Sequence, residues 1–182
     1  DDLLKGDTIG EPVVSGYGER KVLSLRDKDR NSPPQQKNLD WSSTLGRFLG
    51  YFLADGHIQS CDTNREGRYE VYVDFGPGEE AYVEDLRGVV ESLFERLMGV
   101  TQHGNALRCH FSHSGLHAWL KANCYGPNKE KRFPLDIEEM CPSVVEGCVV
   151  GLVRGDGWVT EDAVKFGNSS LSLITAWHLL VG

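Results

Sequence analysis

Two aspartates in this 182-residue sequence occupy equivalent positions in an internal repeat. Asp55 and Asp156 lie 101 positions apart (156 − 55), and each stands immediately before a glycine at the predicted C-terminal end of a helix. The helix dipole disfavours a carboxylate there by about 0.3 to 1 kcal/mol, and a second carboxylate nearby adds repulsion. A divalent cation offsets both penalties, because carboxylate and carbonyl oxygens are the ligands that hard cations prefer. The pair therefore predicts a metal-dependent site, whereas a single copy would indicate only an ordinary helix-ending turn.

The two helices that carry these acids are predicted from glycines spaced four residues apart. The first helix contains Gly46 and Gly50 and the second contains Gly147 and Gly151, again at an offset of 101. Each glycine costs roughly 1 kcal/mol of helix stability relative to alanine, so a compensating contact is expected. Small residues at this spacing let two helix backbones approach closely. We predict that helices starting near residues 43 and 144 pack against each other around a pseudo-two-fold axis, with both acids at the same end.

An antiparallel sheet with helices on one face is predicted between the two acid-bearing helices, so the fold class is α+β. Polar and apolar residues alternate over 68–75, as in a strand with one buried face. Apolar spacing predicts a helix over 79–98, and further elements are a strand 106–112, its partner near Val100 and a helix 114–123. The residues expected to face the core are Tyr69, Val71, Val73 and Phe75 on the first strand, Tyr82, Leu86, Val89, Val90, Leu93 and Leu97 on the long helix, and Leu107, Cys109 and Phe111 on the second strand.

The opposite face of this sheet carries polar and charged side chains that packing does not explain. By alternation they are Arg68, Tyr72, Arg108 and His110, with His57 and Gln59 on the strand that follows the first helix. A solvated outer face is the simplest interpretation, because antiparallel sheets commonly expose one side to water.

The composition indicates an ordinary globular protein, with 40% hydrophobic and 25% charged residues. A formal net charge of −8, from 19 basic and 27 acidic side chains, argues against a generic basic nucleic-acid-binding protein. No apolar run approaches the roughly 18 to 20 residues that span a bilayer, and we expect an intracellular protein. Five cysteines without C-x-x-C spacing indicate neither a zinc site nor a disulfide framework. His113 and His117 lack a third ligand and are weak metal candidates.

The repeated segments resemble the motif of the LAGLIDADG homing endonucleases, whose name spells it. The two copies are Phe48-Leu-Gly-Tyr-Phe-Leu-Ala-Asp-Gly56 and Val149-Val-Gly-Leu-Val-Arg-Gly-Asp-Gly157. Two copies in one chain resemble the single-chain members, especially those encoded within inteins, and the resemblance covers residues 40–182. It implies a duplicated fold of two αββαββα half-domains.

The same resemblance implies metal-dependent hydrolysis of both strands of a long, specific site in double-stranded DNA, with Mg²⁺ or Mn²⁺ as the cofactor. By position, Asp55 and Asp156 are the metal-binding acids and Lys131 is a catalytic lysine near the active site; a solvated loop lysine is the alternative for Lys131. The polar sheet face would then contact DNA, and we expect a monomer with pseudo-two-fold symmetry. The residues implied to contact DNA are His57, Gln59, Arg68, Tyr72, Arg108, His110 and Lys165.

Three parts of the chain are expected. Residues 1–38 are predicted to be a linker and a possible remnant of an intein splicing domain, because 2–9 resembles a strand of such domains and 31–38 is a polar, proline-containing connector. Residues 39–143 form the first half-domain, and 144–182 begin the second. The second is expected to be incomplete, because its 39 residues stand against 99 in the first unit, 45–143. Arg154 and Gly155 depart from the motif without changing its metal-binding acid.

Two other functions are alternatives to DNA cleavage. One is a non-cleaving DNA-binding or regulatory module on the same scaffold. The other is a protein-interaction domain in which the glycine-containing helices mediate association. The presence of the acid in both copies favours the endonuclease.

Overall fold

Helices and antiparallel strands make up the computed structural model, which describes residues 22–27, 35–61, 68–134 and 141–181. No helix in these ranges is long and apolar enough to cross a membrane. The elements are β1 (Val22–Asp27), β2 (Gln35–Asp40), α1 (Ser43–Asp55), β3 (Gly56–Cys61), β4 (Arg68–Phe75), α2 (Glu80–Phe94), β5 (Gly99–His103), β6 (Ala106–Ser112), α3 (Ser114–Asn123), α4 (Pro142–Asp156), β7 (Gly157–Val159), β8 (Val164–Phe166) and α5 (Leu171–Val181).

Helices α1 and α4 run parallel in direct backbone contact. A methyl group on any of the four interface glycines would collide with a carbonyl oxygen of the facing helix. These contacts are reciprocal, because each one recurs when 101 is added to or subtracted from its residue numbers, and the helix pair is therefore pseudo-symmetric. They are Gly46 with Val144 O, Gly147 with Ser43 O, Gly50 with Cys148 O, and Gly151 with Arg47 O.

Strands β3 to β6 form an antiparallel sheet in the order β3-β4-β6-β5, and its inner face packs on α1, α2 and α3. The predicted α+β class is confirmed. Phe48 of α1 lies at the centre of this core, with its ring centroid 4.9 Å from that of Phe94 and 6.1 Å from that of Phe111. Ser42 caps α1 by accepting a hydrogen bond from Leu45 N (3.3 Å), which fixes where the helix begins.

Two predicted core residues lie on the surface. The prediction of a helix to residue 98 is wrong at its end, since α2 stops at Phe94 and Glu95 takes the left-handed conformation with φ 54°. The chain turns there toward β5, which leaves Leu97 89% exposed. Tyr69 is the first residue on the inner face of β4, and it is 39% exposed because it lies at the margin of the core.

The hairpin of β1 and β2 packs on α3. Leu23, Leu25 and Leu39 are buried in the common core, so the structure places residues 35–38 in a strand and not in a connector. Asp27 joins the hairpin to α3, because its Oδ1 accepts hydrogen bonds from Ser114 N and Oγ (both 2.9 Å). Residues 35–38 thus belong to β2, which continues to Asp40. The segment 2–9, with its predicted splicing-domain resemblance, lies outside the described residues.

Candidate active site

The two repeated aspartates lie together at the C-terminal end of the α1–α4 pair. Asp55 is the last residue of α1 and Asp156 the last of α4, and strands β3 and β7 start directly after them. A Cβ built on Gly155 would lie 3.8 Å from Asp55 Oδ2, so the carboxylate of one helix reaches the last turn of the other. The parallel glycine contact positions both acids, because it allows no side chain to separate the helix ends.

Asp55 is held in a site that disfavours its charge. The pKa of this carboxyl group is raised to about 6, chiefly by burial and also by the charges of Asp156, Glu79 and Asp74, while Lys131 opposes the shift. Burial and like charges both penalise ionisation, so the native site gains from a positive group that neutralises these acids.

Lys131 brings such a charge to the site and is not a solvated loop lysine. Its Nζ donates a hydrogen bond to Ala54 O (2.6 Å) in the last turn of α1 and lies 5.9 Å from the Phe52 ring centroid. Burial lowers the pKa of Lys131 to about 8, although the charges of Asp55 and Asp156 oppose this shift. The residue sits in a bridge to Tyr125, so backbone pairing holds it in place.

Asp156 has a different partner, Asn168, which was not predicted as a site residue. Asn168 Nδ2 donates to Asp156 Oδ2 (2.6 Å), and Asn168 Oδ1 accepts from Ser170 N (2.9 Å). Ser170 Oγ in turn donates to Lys131 O (2.6 Å) and accepts from Leu173 N at the start of α5 (3.3 Å). A chain of hydrogen bonds thus runs from Asp156 to the backbone of Lys131, whose side chain donates to Ala54 O next to Asp55. The Asn-Ser-Ser sequence before an apolar helix was a capping signal, but it did not reveal the partner of Asn168.

The donor set at this end fits a magnesium-like cation that shares its coordination with a substrate. Among the described residues, no cluster of three or more histidine, cysteine, aspartate or glutamate side chains could enclose a metal by itself. Mg²⁺ commonly takes one or two protein carboxylates and completes its octahedron with water and phosphate oxygens. Asp55 and Asp156 would hold the ion, and the poor solvation of Asp55 favours replacing a proton by a cation.

Arg154, a residue that departs from the motif, joins α4 to α2. Its NH1 lies 3.0 Å from Asp85 Oδ2 of α2, and its Cζ lies 5.6 Å from the Tyr82 ring centroid. Arg47 NH1 donates to Asp85 Oδ1 (2.8 Å) and the buried Tyr51 OH donates to Asp85 Oδ2 (2.9 Å). The Asp85 carboxylate therefore joins α1, α2 and α4, and its contact on α4 is Arg154, two residues before Asp156.

The outer sheet face carries a ladder of rings across its strands. Tyr72 of β4 stacks on His57 of β3, with centroids 4.8 Å apart, and its centroid lies 6.0 Å from that of His110 on β6. Arg108 is bound by Asp74 through two hydrogen bonds of 2.8 Å each. The structure therefore brings together four of the predicted DNA-contacting residues, His57, Tyr72, Arg108 and His110. Arg108 is already paired with Asp74.

The remaining predicted DNA-contacting residues lie apart from this ladder. Gln59 is exposed on β3, and Lys165 is exposed on β8 opposite Trp158. Arg68 begins β4, but its side chain lies outside what the structure describes.

Sequence comparison found no matching protein-family profile and no matching curated protein. Solved structures of the homing endonuclease I-DmoI are similar. Mesophilic variants of I-DmoI align with a TM-score of 0.56 and 12% identity over 76% of this chain and 74% of that one. A variant bound to its target DNA in the presence of Mg gives 0.56 and 13% over 76% and 75%, and I-DmoI with DNA and Ca gives 0.54 and 13% over 76% and 68%. The chain thus has the LAGLIDADG homing endonuclease fold.

Proposed function

We propose that this protein is a site-specific endonuclease that hydrolyses both strands of double-stranded DNA with Mg²⁺ or Mn²⁺, as a single-chain homing endonuclease encoded within an intein. The observation that carries the proposal is the pair of acids at the ends of two glycine-packed parallel helices. Nothing in helix stability favours a carboxylate at such an end, and here two of them lie together with a half-buried lysine. The structural likeness to I-DmoI, which was solved with its target DNA, supports the DNA substrate.

The residues have distinct roles in this proposal. Asp55 and Asp156 would hold the divalent ion, which supplies Lewis-acid polarisation of a phosphate oxygen and lowers the pKa of bound water. Lys131, with a pKa of about 8, can donate a hydrogen bond toward negative charge that develops on the phosphate, or assist proton transfer from water. Asn168 orients the Asp156 carboxylate. The outer sheet face would lie against the DNA, and the residues proposed to contact it are His57, Gln59, Arg68, Tyr72, Arg108, His110 and Lys165. The half-domains are proposed at residues 39–143 and 144–182, in one monomeric chain.

A cleavage assay on the uninterrupted host-gene sequence, rejoined across the insertion point and carried on a plasmid, tests the proposal. We expect linearised plasmid with Mg²⁺, and no linear product when Asp55→Asn or Asp156→Asn replaces the native protein. Lys131→Met should slow cleavage by about a hundredfold or more, the scale of losing a group that stabilises transition-state charge. All three variants should retain most of the DNA affinity.

Two outcomes would contradict it. Undiminished double-strand cleavage by either aspartate variant would exclude the paired acids as the site. Tight, salt-dependent DNA binding without cleavage by the native protein would favour the non-cleaving DNA-binding module.

A further inference from the structure

Asp74 and Arg108 face each other on the outer side of the sheet, as paired positions of β4 and β6. Arg108 Nε donates to Asp74 Oδ1 and Arg108 NH2 to Asp74 Oδ2, each at 2.8 Å. Such a side-on bidentate pair fixes the plane of the guanidinium group. The Tyr72 ring supports that plane from below, with its centroid 5.5 Å from Arg108 Cζ, and His57 stacks on Tyr72 in turn.

The pairing leaves one defined edge of the guanidinium for a ligand. Of its five N–H groups, Asp74 occupies the one on Nε and one on Nη2. Within the part of the chain that the structure describes, no other side chain or carbonyl is hydrogen-bonded to this group. The end of the fork therefore keeps two parallel N–H bonds, one on each terminal nitrogen, and the side chain remains 23% exposed.

Those two parallel donors match the major-groove edge of guanine. Guanine presents two acceptors there, O6 and N7, whereas adenine pairs an acceptor with a donor and the pyrimidines offer no such acceptor pair. A phosphate would also accept two hydrogen bonds, but Asp74 neutralises the guanidinium charge and lies beside it. The attraction to a phosphate is thereby weakened, while hydrogen bonding to a neutral base is not.

We propose that Arg108 is a specificity-determining residue that reads a guanine in the major groove, and that Asp74 is its positioning residue. The inference rests on the proposed function, since it assigns the base that one side chain of the same DNA-binding face recognises. Gly56 pairs with Val73, so the Asp74–Arg108 pair lies at the end of the sheet next to Asp55. The guanine is therefore expected near the cleaved bonds and not at the margin of the DNA site.

Selection from a randomised duplex DNA library by the full chain, followed by sequencing of the bound fraction, tests this assignment. The native protein should select a guanine at one position near the centre of its site. Arg108→Lys keeps the charge but loses the fork, and should reduce preference for that guanine by about tenfold to a hundredfold. Asp74→Asn should reduce it several-fold, because the fork is less well oriented. Preferences at all other positions should be unchanged.

The matched control is Arg87→Lys, because Arg87 lies on α2, away from the outer sheet face, and pairs with Glu84 of the same helix. It should leave every base preference as in the native protein. A uniform loss of affinity across all sequences in Arg108→Lys would show a structural role and overturn the inference. An unchanged guanine preference in Arg108→Lys would also overturn the inference, but the proposed endonuclease function would stand. Failure of the native protein to enrich any sequence would instead overturn the proposed function, and this inference with it.

Discussion

The two repeats share one backbone arrangement but differ in the chemistry around it. In the first, Asp55 has the half-buried Lys131 nearby, whereas in the second, Asp156 accepts a hydrogen bond from Asn168. A similar contrast appears two residues earlier, where Leu53 is fully buried but its counterpart Arg154 (53 + 101) pairs with Asp85. Symmetry is therefore strict only where the helices meet through glycine.

This difference follows from what each position must satisfy. Glycines at the helix contact face backbone, and any larger residue collides there whichever copy carries it. Positions on the outer sides of the pair face different elements, so their side chains are free to diverge. The duplicated frame fixes where the acids lie, and the unique surroundings give each acid its own environment.

Gly50→Ala should break the shared part of the repeats and have the largest effect. Its Cβ would lie 2.7 Å from Gly151 Cα and 2.8 Å from Leu152 N, and backbone atoms cannot move aside as a flexible side chain can. The two helices must separate, and we expect a loss of about 3 kcal/mol in the free energy of unfolding. Urea denaturation of Gly50→Ala and of the native protein measures this loss.

Gly88→Ala is the matched control for this substitution. Gly88 lies in α2 with no atom within 4 Å of the position that a Cβ would occupy. Removing a glycine from an open helical position should stabilise the protein by up to about 1 kcal/mol. Similar effects of the two substitutions would contradict a backbone contact at Gly50.

Asp85→Asn should break the asymmetric part, the polar junction in which Asp85 binds Arg47 of the first copy and Arg154 of the second. The substitution removes the charge that pairs with both Arg47 and Arg154, and Arg47 Nε is already buried without a hydrogen-bond partner. Because the group is partly buried, we expect a loss of about 2 kcal/mol in urea denaturation. Glu84→Gln, at the neighbouring exposed pair with Arg87, should change stability by less than about 0.5 kcal/mol. Equal losses would show that the junction is no more than a surface ion pair.

Asp55→Asn tests the contrast between the two acids, and its expected effect on the free energy of unfolding is smaller than those of Gly50→Ala and Asp85→Asn. The native-state pKa of Asp55 is about 6, above its ordinary value of 3.8, so the folded protein binds more protons than the unfolded chain between these values. The ionised group therefore destabilises the native state above pH 6, and the penalty disappears as the pH falls toward 4. Because the carboxylate is partly solvated and Lys131 would lose a counter-charge, we expect a gain of only about 1 kcal/mol at pH 7.

Unfolding of the native protein and of Asp55→Asn at a series of pH values measures this difference. The gain should shrink as the pH is lowered from 7 to 5, since histidines and other groups common to both proteins cancel. A gain that stayed constant over this range would show that Asp55 is not the titrating group.

The sequence allowed most of the elements from α1 to α3 to be predicted because they have strong periodic patterns. The alternation over 68–75 gave β4 with its bounds, and the prediction of a helix from about residue 43 to the aspartate before Gly56 gave the bounds of α1. The helix over 79–98 was predicted too long, because Leu97 and Met98 continue the apolar spacing although Glu95 already leaves the helix. A pattern of apolar residues does not reveal a left-handed residue that lacks the glycine signature.

The site was predictable to the extent that it depends on the repeat. The offset of 101 predicts that Asp55 and Asp156 lie together, because a duplicated helix contact places equivalent residues at equivalent positions of the pair. Lys131 was named from a resemblance, and its hydrogen bond to Ala54 O could not have been inferred from the residues between them.

What the sequence determined by itself was therefore the α+β class, the glycine-packed helix pair and the phase of its two acids, since each depends on spacing along one element. Only the tertiary structure decided that Asn168 bonds Asp156, that Asp85 binds Arg154, and that Asp74 holds Arg108. These pairs join side chains from different elements, and their geometry depends on how those elements pack. Local periodicity sets the direction of a side chain relative to its own helix or strand, but not the partner that it meets.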